Sequence, residues 1–296
     1  MTAWLRLLRP HQWSKNLLVL VPAFAAHRSF DGPLLLRLGL AFLLFSLVAS
    51  AFYVANDLVD LEHDRAHPSK RTRPLASGAV PPGAAVAVAV ALAGGAGVAT
   101  ALLLPPAFGL AVLVYAALTL AYSLGLKRAV LLDVLVLAAL YTVRVVAGAA
   151  AVEVPLSRWF LAFSVFVFLS LALVKRAVEL RGLARPGGRR VDDATPVPGR
   201  GWLVSDLPVL RSLGLASAVA GALVYCLYIT SEDVLRLYPR PDYLWLGLPL
   251  LLYWLGRVWI LAARDEVADD PVVFALRDPT SYGVAALLLL SVWLAT

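Results

Sequence analysis

The sequence predicts an all-α integral membrane protein, and three observations carry that prediction. The 296 residues are 61% apolar and only 15% charged, with a mean hydropathy of +0.81; soluble domains are about half apolar and about a quarter charged. Apolar runs of roughly 17–25 residues recur along the whole length, which suits membrane helices better than barrel strands. Prolines fall at or near the breaks between them, where their missing N–H costs least.

Nine spans follow in order, near residues 12–29, 33–56, 82–104, 107–124, 129–151, 157–181, 207–230, 242–263 and 279–296. Pro33, Pro81, Pro82, Pro105, Pro106, Pro155, Pro208, Pro239, Pro241 and Pro279 punctuate them. The longest polar break, RGLARPGGRRVDDATPVPGRGW (181–202), is rich in Pro, Gly and Arg and reads as a mobile loop. No second soluble domain is marked, so residues 1–296 are expected to form one polytopic domain. The N-terminal stretch lacks the pattern of a cleaved signal peptide. A single cysteine, Cys226, excludes an internal disulfide framework and a cysteine-based metal cluster.

The formal net charge of +7 fits a surface facing anionic lipid or a site for anionic ligands. Nucleic acid is a poor partner, because the cations are scattered among the loops of a membrane protein. Lys and Arg gather on one side of the spans, and all four lysines, Lys15, Lys70, Lys127 and Lys175, lie on it. The positive-inside rule makes that side cytoplasmic, with the N-terminus in and the C-terminus out of the cell membrane. One-sided lysines also point to a cytoplasmic site.

The second span runs into NDLVDLEHDRAHPSKRTRP (56–74). If the helix continues, Asp57, Asp60 and Asp64 stand at i, i+3 and i+7 and share a face. Carboxylates crowded at a helix C-terminus, the negative end of its dipole, call for a bound cation. An all-oxygen ligand set favours a hard ion, Mg²⁺ with Mn²⁺ as a substitute, shared with substrate phosphates. Lys70, Arg71 and Arg73 would hold the far side of a diphosphate. His63 and His67 read as solvated or capping groups.

The pattern N-D-L-V-D-L-E-H-D resembles the NDxxDxxxD signature of the UbiA superfamily of intramembrane prenyltransferases. LRPHQWSKNLLVLVPAF, YSLGLKRAVLLD, YTVRVVAGAA, PLSRWF and LVKRAVEL extend the likeness across residues 8 to 185. They are most similar to the branch that contains bacterial decaprenyl-phosphate phosphoribosyltransferase. The resemblance implies nine helices around a central cavity, a cytoplasmic cap and Mg²⁺-dependent transfer. It gives metal and catalytic roles to Asp57, Asp60 and Asp64, assisted by Lys70 and Arg73. Asn56 would orient the acids.

One departure separates substrates. Where aromatic prenyltransferases of the superfamily carry a second Asp-rich motif, this chain reads Lys175-Arg176-Ala177-Val178-Glu179. Lys175, Arg176 and Glu179 suit the 5-phosphate and ribose hydroxyls of phosphoribosyl diphosphate, and as a plain alternative Lys175 and Glu179 pair at i, i+4. Arg144 lies within a span and is a functional candidate by default. Gln12, Lys15, Asn16, Arg71, Tyr122 and Lys127 complete the expected substrate-binding set.

The expected reaction moves a 5-phosphoribosyl group from phosphoribosyl diphosphate to a polyprenyl phosphate within the lipid bilayer; a homo-oligomer is allowed. The alternatives are UbiA-type prenyl transfer to an aromatic or lipid acceptor and, from another class, a transporter or lipid flippase. The segment RDEVADD (264–270) is expected to be a surface helix.

Overall fold

The computed structural model describes residues 2–25, 31–66, 70–184, 195–197, 199–267 and 270–296. Arg28, His67, Ser69 and most of the basic loop, including Arg185, Arg189 and Arg190, lie outside them. Thirteen α-helices are defined among the described residues. They are α1 (Ala3–Leu8), α2 (Val21–Ala25), α3 (Gly32–Val59), α4 (Leu61–Ala66), α5 (Pro82–Leu103), α6 (Pro106–Leu124), α7 (Leu132–Ala151), α8 (Arg158–Ala184), α9 (Leu207–Ile229), α10 (Glu232–Leu237), α11 (Gly247–Ala263), α12 (Pro271–Ala275) and α13 (Pro279–Ala295).

The helix starts follow local chemistry. Asp31 caps α3 through the Leu34 N–H at 2.9 Å, with Pro33 in the first turn. Asp278 caps α13 through the Ser281 N–H at 2.8 Å. Both caps satisfy amides that a helix start leaves open.

Among the described residues, seven helices are long and apolar enough to cross a membrane: α3, α5, α6, α7, α8, and α9 and α11 with their preceding turns. The expected count of nine is therefore not reproduced. The ninth span, α13, is apolar but has 17 residues, and the first span is not one α-helix. Leucines and valines such as Leu102, Leu113 and Val90 face outward, as lipid rather than water requires. This is a multi-pass membrane protein.

The first span begins as a 3-10 helix over Pro10–Leu20 and continues as α2. Eleven residues is long for 3-10 geometry, and tertiary matching accounts for it. Trp13 Nε1 donates to Ser50 Oγ at 2.9 Å, and Asn16 Nδ2 donates to Ser46 Oγ at 3.0 Å. Three residues at about 2.0 Å rise and four at about 1.5 Å both span about 6 Å. The 3-10 rise thus lets successive turns meet Ser50 and Ser46 in register.

Contacts gather the helices into two units: Met1–Leu124 with Val143–Pro155, and Gly125–Thr142 with Leu156–Thr296. In the first, α3 packs on α5, α6 and the 3-10 segment. The segment also lies against Gly148 of α7, where an added Cβ would sit 1.9 Å from the Val19 carbonyl oxygen. Gly148→Ala should therefore destabilise the chain by about 1–3 kcal/mol, the usual cost of overpacking, read as a lower unfolding midpoint in detergent. An unchanged midpoint would mean the segment can move away freely. In the second unit α8 packs along α9, and α11 contacts both.

Candidate active site

Helix α3 ends where its acids begin. Asp60 occupies the C-cap with φ −90° and ψ 7°, and α4 restarts at Leu61. The continuous helix expected over the acidic motif is thus broken at its middle residue. Asp64 N–H still bonds the Asp60 carbonyl at 2.9 Å, which keeps the turn helical enough to return Asp64 to the side of Asp57. Arg73 Nη1 spans the two, at 3.2 Å from Asp57 Oδ1 and 2.6 Å from Asp64 Oδ2. Both aspartates are buried, while Asp60 is half-buried.

A second guanidinium completes the cluster. Arg9 Nη2 reaches Asp57 Oδ1 at 2.5 Å, and its charge lies over the Tyr53 ring, 5.7 Å from the centroid. Arg9 has left-handed backbone angles, φ 51° and ψ 53°, unusual for a non-glycine residue and more so before proline. Such strain persists only where surrounding structure holds it. Ser123 donates to Asn56 Oδ1, fixing the amide beside Asp57. Lys70 and Arg71 are exposed on a short 3-10 turn, and Tyr122 is half-buried.

Deeper in the same unit, Arg144 is almost fully buried. Its Nε donates to Asn16 Oδ1 at 2.9 Å and its Nη2 to the Tyr115 hydroxyl at 3.3 Å. The guanidinium also lies over the rings of Tyr115 and Phe45, at 4.8 and 5.6 Å. Amide oxygen and aromatic faces accept this charge within the membrane. Lys15 is buried next to Asn16 in sequence, and Gln12 is half-buried.

The second unit holds the other cations. Arg176 is fully buried, with Nη2 2.9 Å from Asp133 Oδ2, and it also bonds Glu179. Trp202 Nε1 donates to Asp133 Oδ1 at 3.0 Å, so the end of the polar break is packed into the unit. Gly201 permits this, because a Cβ there would come within 2.3 Å of the Arg128 carbonyl oxygen. Lys175 is 3.2 Å from Asp270 Oδ2, and the Tyr141 hydroxyl is 3.4 Å from both Asp270 oxygens. Lys127 is half-buried. The i, i+4 pairing of Lys175 with Glu179 is thus replaced by Arg176–Glu179 and Lys175–Asp270. Nor do the described residues of 264–270 form a surface helix: Arg264 and Asp265 form a turn, and Asp270 is buried and caps α12 through the Val272 N–H at 3.1 Å.

Residues 17–277 match the UbiA prenyltransferase family. The chain belongs to that family. UbiA proteins are membrane-embedded transferases. A Sinorhizobium fredii protein described as uncharacterized protein y4nM is 45% identical over 96% of this chain, which spans only 54% of that relative's length. Nodulation protein NoeC of Azorhizobium caulinodans is 35% identical, covering 92% of this chain and 86% of its own. Decaprenyl-phosphate phosphoribosyltransferase of Mycobacterium tuberculosis is 35% identical, covering 98% and 91%. Among solved structures, a UbiA homolog from Archaeoglobus fulgidus bound to GPP and Mg²⁺ superposes with a TM-score of 0.70 over 99% of both chains, at 16% identity. That likeness supports a UbiA fold.

A divalent metal can be tested against the residues present. No group of three or more His, Cys, Asp or Glu is already gathered for a metal among the described residues. Asp57 Oδ2, however, is buried with no hydrogen-bond partner, an open position on a carboxylate whose other oxygen is occupied. An unsatisfied buried carboxylate oxygen beside a second buried aspartate, in an all-oxygen set, fits a hard cation. In this UbiA chain, Arg9 and Asp270 were missed as site neighbours by sequence reasoning. A cation before proline at the start of the likeness was the only available signal for Arg9.

Proposed function

We propose that the protein transfers a 5-phosphoribosyl group from phosphoribosyl diphosphate to a polyprenyl phosphate. The observation carrying the chemistry is Asp57, with one oxygen held by Arg9 and Arg73 and the other open. The phosphoribosyltransferase relatives in mycobacteria, aligned over nearly the whole chain, favour this donor over a prenyl diphosphate. So does a Lys-Arg pair where a second acidic motif would stand.

In this reading Asp57, Asp64 and Asp60 would hold Mg²⁺, which would supply positive charge to the departing pyrophosphate. Arg73, with the exposed Lys70 and Arg71, supplies donors to the oxygens on which charge develops. Asn56, fixed by Ser123, orients the acids. The C1–oxygen bond to pyrophosphate breaks as C1 gains oxocarbenium character, and a lipid phosphate oxygen forms the new bond. The acceptor is already an anion, so no general base is needed. Lys175, partly exposed beside Asp270, binds the 5-phosphate. Arg176, enclosed by Asp133 and Glu179, supports Lys175 and Glu179 from within. Gln12, Lys15, Tyr122, Lys127 and Arg144 are further substrate-binding candidates.

Purified protein should consume labelled phosphoribosyl diphosphate with polyprenyl phosphate and release pyrophosphate. Lys175→Ala should raise the KM for that donor roughly 10-fold or more, the worth of a charge-assisted contact, and leave the lipid KM unchanged. Consumption of a prenyl diphosphate with 4-hydroxybenzoate instead would overturn the donor assignment and leave the metal site standing. The lysine-bearing ends are cytoplasmic in this proposal. In a Cys226→Ser background, Ser231→Cys should then react with an impermeant thiol reagent only from outside the cell; labelling only from inside would reverse the topology.

A further inference from the structure

Arg211 of α9 and Arg257 of α11 both lie inside membrane-spanning helices of the second unit, and their surroundings differ. Arg257 of α11 is forked onto Asp278 by hydrogen bonds of 2.7 and 3.0 Å. Arg211, the fifth residue of α9, makes no ion pair among the described residues. The charges that act on it are Arg181 and Asp265, and Asp265 is itself held by Arg181 at 2.6 Å. Arg211 is half-buried, and among the described residues its guanidinium makes no hydrogen bond.

Arg211 lines a groove of about 370 Å³ with Ala177 of α8, Leu215 of α9, and Gly256, Trp259 and Ile260 of α11. Apart from the guanidinium these lining groups are apolar, save the Trp259 indole N–H, and that N–H is spent on Ser170 Oγ at 3.0 Å. Leu215 and Ile260 are 47% and 53% exposed, so the groove faces the bilayer. Arg211 stands about 6 Å along the helix from the start of α9, by helical rise. A cation this close to one end of a span is nearer the headgroups than the midplane.

A guanidinium inside a span is costly unless paired, and its planar fork suits phosphate oxygens. Water alone would not explain an apolar trough leading away from the charge. We propose that this groove binds one anionic phospholipid, its phosphate on Arg211 and an acyl chain along the floor formed by Leu215, Gly256 and Ile260. The inference rests on the membrane-spanning fold and is independent of the transferase reading.

Gly256 supplies a test that leaves the charge in place. A Cβ at Gly256 would meet nothing within 4 Å, and leucine favours a helix over glycine, so Gly256→Leu should fold and fill the floor. The full chain, purified in a neutral detergent, would be titrated with phosphatidylglycerol and with phosphatidylethanolamine, and bound lipid counted by native mass spectrometry. Wild type should hold one phosphatidylglycerol more tightly than phosphatidylethanolamine. Arg211→Gln and Gly256→Leu should each weaken the tightest phosphatidylglycerol about tenfold or more, and inorganic phosphate should not displace it. Unchanged binding in both variants, or equal binding of the two lipids, would overturn the proposal. Displacement by inorganic phosphate, or by an equal concentration of polyprenyl phosphate, would reassign the groove. A lipid-free dimer that Gly256→Leu dissociates would give it to a second copy.

Discussion

Asp57→Ala should abolish turnover, by at least roughly 10²–10³-fold, the scale seen when one preorganised electrostatic group is removed from a reacting centre. The variant should fold. Arg73 retains Asp64 at 2.6 Å, and Arg9 and Arg73 are partly exposed, so each can turn its freed donors to water. The stability change should therefore stay near about 1 kcal/mol, as for pairs that water reaches. Chelation by EDTA should reproduce the loss in wild type, and Mg²⁺ or Mn²⁺ should restore it. Asp64→Ala should be milder, because within the acidic motif it is Asp57 that carries a buried oxygen with no hydrogen-bond partner. Full turnover in EDTA, with Asp57→Ala also active, would refute the metal assignment.

The second large effect falls on stability. Asp133 and Arg176 are both fully buried; removing Arg176 leaves Asp133 without its counter-charge, and removing Asp133 leaves Arg176 with only the half-buried Glu179. Asp133→Ala or Arg176→Ala should each cost about 3–5 kcal/mol, as for other buried pairs. The combination Asp133→Asn with Arg176→Met removes both charges and keeps an oxygen for the Trp202 indole. It should recover much of the loss, because the desolvation cost goes with the charges. With Asp133→Asn and Arg176→Met also made singly, a double-mutant cycle of unfolding midpoints in detergent reads this directly; additive losses would show that the two side chains are not coupled. Should Arg176→Ala unfold like wild type and only raise the donor KM, Arg176 is a donor ligand and not an internal support.

Much of this was legible in the sequence. Hydropathy and proline spacing are local signals, and the helix starts at Pro33, Pro82, Pro106, Pro208 and Pro279 follow them. The acidic motif was legible because the three acids sit within eight residues. What escaped depends on partners far apart in the chain. Arg9 meets Asp57 across 48 residues. Arg176 finds Asp133 on another helix, and its nearer acid Glu179 offered an equally good local pairing for Lys175. The 3-10 segment depends on Ser46 and Ser50, two residues that no helical propensity would single out. Asp270 looked like one more surface acid until Lys175 and Tyr141 enclosed it.

Arg9 makes the beginning of the chain a ruler. Leu7 is fully buried against Val54, Leu75 and Val80, which anchors α1, and two residues later a left-handed turn aims Arg9 at Asp57. Pro10 then fixes where the 3-10 segment begins. Anchor, cation and proline are thus spaced in single residues, with no slack between them. Inserting one residue between Leu7 and Pro10 would turn the cation by about 100° around the helix, away from its carboxylate. The same insertion between Lys70 and Arg71, both exposed, displaces no buried side chain at that point. Tolerance to a change of length is therefore set by distance from this anchor, not by distance in sequence from the acidic motif.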